Sequence, residues 1–188
     1  MKRFTGPAAR AGLLLVAACL ALAGCKSAPK PAGAESDEAA WLDPFDSKPF
    51  KEAEAPLPAP PRDADLIPFT VGDSGNFKFA VDARSISVGA DNVVRYTVVI
   101  TSASGARNVS YEGMRCDAFE RKIYAVMPQG AKEWVSNRGM DDWQRMQTRQ
   151  RNSYAATLAT DYFCEGRTVA GKPEQLVRDL RAYAPSWR

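Results

Sequence analysis

Eight of the thirteen prolines of this chain fall within residues 26–64, at Pro29, Pro31, Pro44, Pro49, Pro56, Pro58, Pro60 and Pro61. Proline fixes φ and lacks an N–H, so a stretch this rich in it sustains neither a helix nor a central strand. Ala, Glu, Lys and Asp fill most of the other positions, which leaves little to bury. Residues 25–64 therefore read as a disordered, partly extended tether with an r.m.s. span of about 33 Å. Core formation is left to residues 65–188, ample for one hydrophobic core and too few for two. Trp41 and Phe45 interrupt the tether and are too apolar for a plain spacer. They either fold back onto the domain or form a short motif that docks a partner.

Residues 1–24 have the shape of a secretory signal: Lys2, Arg3 and Arg10 precede an apolar run over residues 13–23. As a helix that run spans about 16 Å, too short for a bilayer core of roughly 30 Å. Leu22-Ala23-Gly24-Cys25 closes it and resembles the lipobox of a bacterial lipoprotein, in which the cysteine receives diacylglycerol and the chain is cut before it. A second fit, Ala21-Leu22-Ala23 as an ordinary cleavage site, leaves Cys25 without that role. With two or three acyl chains on Cys25 the anchor is essentially permanent, because each buried CH₂ contributes roughly 0.8 kcal/mol. Lys26, where Asp favours inner-membrane retention, points to the outer membrane, with the domain facing the periplasm.

All three signal charges are basic, so the remainder carries 25 − 3 = 22 Lys and Arg against 22 Asp and Glu. No basic field remains to draw nucleic acid. The chain has no histidine, which excludes Ser-His-Asp and Cys-His catalysis and His-ligated zinc. Carboxylate chemistry survives that exclusion. Cys116 and Cys164 remain beyond the anchor, and in an oxidising compartment a disulfide between them is the default, two free buried thiols the alternative. No Cys-x-x-Cys pair is present for redox work.

From residue 65 onward the apolar residues become periodic. Residues 77–81 and 85–88 read as strands, the second ended by a Gly89-Ala90-Asp91-Asn92 turn. Residues 93–101 give the clearest strand, with Val94, Tyr96, Val98 and Ile100 on one face and Arg95, Thr97 and Thr101 on the other. Residues 108–116, 122–127 and 133–136 continue the series. The character then turns helical: Asp141 with Gln144 three residues on marks a helix start, and residues 155–164 and a last helix from Pro173 follow. In that last helix Leu176, Val177, Leu180 and Tyr183 form the apolar face. Strands followed by helices predict an α+β domain, an antiparallel sheet with C-terminal helices packed on one face.

Pro68-Phe69-Thr70-Val71, Val93-Val94-Arg95-Tyr96-Thr97 and the run from Asn108 to Cys116 resemble the cryptic neisserial protein-like family of bacterial envelope proteins. The likeness continues through Tyr124-Ala125, Trp134, Trp143 and Asp161-Tyr162-Phe163-Cys164. It implies an exported protein without established activity and supplies no catalytic residues.

In an alternating strand Tyr111, Gly113 and Arg115 share a face opposite Glu112, Met114 and Cys116. If Cys116 points inward, Tyr111 and Arg115 join Arg95, Trp134 and Trp143 in an aromatic-basic surface, either an interface hot spot or packed aromatics with structural ion pairs. Asp141-Asp142 reads as helix N-terminal acid, and Asp91-Asn92 as turn chemistry without EF-hand spacing. No metal, cofactor or catalytic constellation emerges. The expected function is a non-enzymatic envelope lipoprotein that binds another envelope protein or supports assembly. The alternatives are a peptidoglycan-binding module and a hydrolase using two carboxylates brought together by the fold.

Overall fold

Period-two alternation builds an antiparallel sheet. In chain order its strands are β1 (Leu66–Phe69), β2 (Lys78–Asp82), β3 (Ser87–Val88), β4 (Val93–Thr101), β5 (Arg107–Arg115), β6 (Glu120–Met127), β7 (Val135–Ser136) and β8 (Gln144–Arg145). The computed structural model describes residues 50–54, 56–72, 75–137, 139, 142–148 and 153–185, all within Lys48–Arg188. The signal segment, Cys25, Trp41, Phe45 and Asp141 lie outside the described residues. The strand order is β1-β2-β4-β5-β6-β7, with β3 also pairing β4 and β8 pairing β6. The architecture is α+β: after β8 come α1 (Ser153–Leu158), a π-helical turn (Ala159–Phe163), the short hairpin β9 (Cys164–Glu165) and β10 (Thr168–Val169), and α2 (Pro173–Ala182).

The register of β4 on β5, from Val93↔Arg115 to Thr101↔Arg107, decides which side chains share a face. On one face Val94, Tyr96, Val98 and Met114 meet Leu158, Phe163, Leu176 and Leu180, all at most 0% exposed, in the main core. Burying each such side chain stabilises the fold by roughly 1.5–3 kcal/mol. Rings interlock there: Tyr96 lies 5.2 Å from Phe163 between centroids, and Phe79 stacks on Tyr154 at 6.0 Å. Cys116, just past β5, is bonded to Cys164, 48 residues on, with Cα atoms 5.6 Å apart. The disulfide joins the sheet to the end of the helical segment.

Several elements depart from the sequence reading. β1 contains Pro68, which a proline-averse reading passes over; it is tolerated because β1 is an edge strand, paired among the described residues with β2 alone. The helix expected from Asp141 does not form across Gln144 and Arg145, which pair as β8 with Arg121 and Glu120. Met146 N–H donates to the Phe119 carbonyl at 3.0 Å and its side chain enters the core, so sheet pairing wins over the local cap signal. Tyr183 caps α2 and is exposed rather than lining its buried face. Residues 50–54 and 56–62, assigned by composition to the tether, lie against the sheet face opposite the helices, held by the contacts described next.

Candidate functional site

Arg95 projects from β4 away from the helical layer. Its guanidinium grips Asp91 in fork geometry, Nη2 to Oδ2 at 2.7 Å and Nη1 to Oδ1 at 3.1 Å, with only 4% and 2% of the two side chains exposed. Gly89 makes this possible, because a Cβ there would collide with the Asp91 carboxylate and the Arg95 guanidinium. The pair then holds a single residue of the 50–62 segment by its main chain. Ala53 N–H donates to Asp91 Oδ2 at 2.8 Å, and Arg95 Nη2 donates to the Ala53 carbonyl at 3.0 Å. Burial alone would raise the Asp91 carboxyl; Arg95 and the Ala53 and Val93 N–H groups outweigh it and bring its pKa down to about 2.

The segment, hereafter the strap, is fastened at three more points. Glu52 Oε2 accepts from Lys122 Nζ at 3.0 Å and from Trp143 Nε1 at 3.3 Å. Burial opposes ionisation of Glu52, yet these bonds prevail and its pKa lies below the ordinary value. The Phe50 ring sits under the Arg115 guanidinium, 3.8 Å from centroid to carbon, and makes a T-shaped contact with Trp143 at 5.8 Å between centroids. Trp134 Nε1 donates to the Pro58 carbonyl at 2.7 Å. Behind these contacts Trp134, Tyr111 and Tyr124 form a row of rings, at 6.2 Å and 5.5 Å between successive centroids. Tyr124 lies so close over Gly113 that a Cβ at that position would strike its ring.

All five residues of the aromatic-basic set therefore share one face, but not as a free surface facing solvent. Arg95, Arg115, Trp134 and Trp143 each engage the strap, and Tyr111 is 3% exposed. Sequence reasoning missed Glu52, Ala53, Lys122 and Tyr124, and took Asp91 for turn chemistry alone. Its Oδ1 does accept Val93 N–H at 3.2 Å, an Asx-type turn, while the same carboxylate neutralises Arg95.

The helix-side face carries a second polar cluster. Glu112, 0% exposed, accepts from Ser110 Oγ at 2.6 Å, Tyr154 at 2.7 Å and Tyr96 at 3.2 Å, and pairs with Arg121 at 3.4 Å. Both carboxylate oxygens are engaged within the fold, so the cluster ties α1 to the sheet. Burial, then the Glu112 charge, pushes the Tyr96 and Tyr154 hydroxyls well above their ordinary pKa.

Two carboxylates do meet in one cleft of about 140 Å³, where Asp65 and Asp82 line a space shared with Pro58, Pro60, Arg62 and Arg84. Asp65 is bonded to Arg62 at 2.6 Å, which holds its pKa low, while burial raises that of Asp82. Among the described residues no group of three or more His, Cys, Asp or Glu is placed to hold a metal ion.

The fold and site define a class: an α+β domain locked by one disulfide, holding its own N-terminal flank across the outer face of its sheet. The chain belongs to the CNP1-like family, whose model matches residues 45–181 and thus takes in the strap with the sheet and helices. This is the cryptic neisserial protein-like family that the motifs resemble. No curated protein and no solved structure matches the chain.

Proposed function

We propose that this protein is a non-enzymatic binding or assembly module of the cell envelope, anchored to the outer membrane through lipid on Cys25. One observation carries the binding role: the outer sheet face grips an extended piece of chain at both main-chain and side-chain atoms, through Ala53, Pro58, Glu52 and Phe50. A face that holds a peptide this way is built for protein chains rather than for turnover. The aromatic-basic side chains that would stack on sugars are engaged with the strap, which weighs against the peptidoglycan reading. Metabolic labelling with a palmitate analogue tests the anchor: the wild-type chain should carry label and C25S should not. In-cell crosslinking of the lipidated chain tests the partner. A reproducible envelope protein crosslinked to the domain is the expected result, and recovery of muropeptide alone would overturn it.

A further inference from the structure

Three of the hydrogen bonds that hold the strap engage its main chain. Ala53 N–H, the Ala53 carbonyl and the Pro58 carbonyl are recognised by Asp91, Arg95 and Trp134, and these atoms carry no side-chain identity. Glu52 adds one charge read by Lys122 and Trp143, and Phe50 one ring read by Arg115. An indole N–H donating to a proline carbonyl beside a row of aromatic rings is a general way for a groove to take a proline-rich, extended segment.

We infer that this groove is a docking site for a partner's acidic, Ala/Pro-rich extended segment, with the chain's own strap as an intrachain stand-in. The inference rests on the binding-module reading and names the chemistry of its partner. The strap is suited to being displaced, since its large apolar side chains are poorly buried: Phe50 is 38% exposed and Leu57 49%. Just past its C-terminal end the chain is fastened to the domain: Asp63 pairs with Arg107 at 2.9 Å, and Ala83 N–H donates to the Asp65 carbonyl at 3.0 Å. The part that lifts is therefore the N-terminal part, while the chain stays fastened at residues 63 and 65. Lys122, whose cation faces Glu52, sets the demand for an acidic residue in whatever replaces it.

The test uses the full chain, as wild type and as F50A/E52Q, titrated with a synthetic peptide of residues 48–62 and followed by calorimetry. The peptide should bind F50A/E52Q at least tenfold more tightly than wild type, and adding W134F should remove most of that gain. A peptide of the same length with its glutamates replaced by lysine and its prolines by serine should not compete, and equal competition by it overturns the inference. Absence of binding by a variant with native near-UV circular dichroism overturns the inference, as does a dimer of F50A/E52Q formed by strap exchange. Hydrogen exchange on the wild type gives a reading that needs no variant. Ala53 N–H should exchange at least a hundredfold faster than Val98 N–H, and faster still with excess peptide; equal protection at the two sites overturns the inference. Failure of the peptide with an envelope crosslink intact defeats this inference alone, whereas loss of palmitate label defeats the lipoprotein reading and leaves the peptide result standing.

Discussion

Asp91 and Arg95, four residues apart across a tight turn, form a buried fork-to-fork ion pair that also clasps both main-chain polar groups of Ala53. One pair thus links the turn before β4, the strand itself and a segment 38 residues upstream. Breaking it from one side leaves a buried charge uncompensated, which is costlier than deleting both partners.

Asp91→Asn should therefore destabilise the domain by about 3 kcal/mol, read as a lower urea midpoint, while D91L/R95M should cost clearly less than the sum of its single changes. Additive single effects would show that the two side chains act independently.

Acid should loosen the strap before it unfolds the sheet. The Asp91 pKa falls from 3.8 to about 2 in the folded state, so its contribution is fully present above the unfolded value. As pH drops from about 4 through 2 the carboxylate is protonated and about 2 kcal/mol is lost. Glu52, also shifted downward, adds to the loss as pH falls below its ordinary value. The Ala53 amide resonance, followed by NMR, should titrate in this window, and D91N should abolish most of that titration.

Removing the disulfide between Cys116 and Cys164 frees a loop of 48 residues in the unfolded chain. The chain-entropy model gives a loss of about 4 kcal/mol for C116S/C164S. Equilibrium urea unfolding with and without reductant checks it: wild type should lose stability on reduction, and C116S/C164S should be indifferent to it.

Glu112 should be the most sensitive polar residue beneath the helices. E112A leaves Arg121 and two tyrosine hydroxyls short of their acceptor and should cost about 3–5 kcal/mol. E112L/R121M, which removes both charges, should recover much of that loss in thermal unfolding.

The sheet and the two-layer core were legible because their signals are local. Alternation in residues 93–101 assigns Val94, Tyr96 and Val98 to the core face without knowledge of any partner strand, and the structure places them there. Pro173 likewise marks the start of α2, where it occupies the first turn. Gln144 and Arg145 show the limit. A cap-like spacing favoured helix, but the exposed edge of β6 at Glu120 and Arg121 offered hydrogen bonds that a short helix could not match.

The strap shows a deeper limit. Arg95, Tyr111, Arg115, Trp134 and Trp143 were chosen by residue type and do share a face, yet what covers that face could not be read from them. The groove recognises carbonyls and an N–H of alanine and proline, and main-chain atoms leave no trace in composition.

Local order alone determined the alternating strands, the start of the last helix at Pro173 and the succession of sheet by helices, since each depends on neighbours a few positions apart. Only the folded arrangement decided that Asp91 and Arg95 would clasp Ala53, and that a proline-rich stretch would lie down on the sheet instead of standing away from it. The physical reason is that such contacts join main-chain dipoles to charges brought close by register and turn geometry, which no one-dimensional pattern encodes.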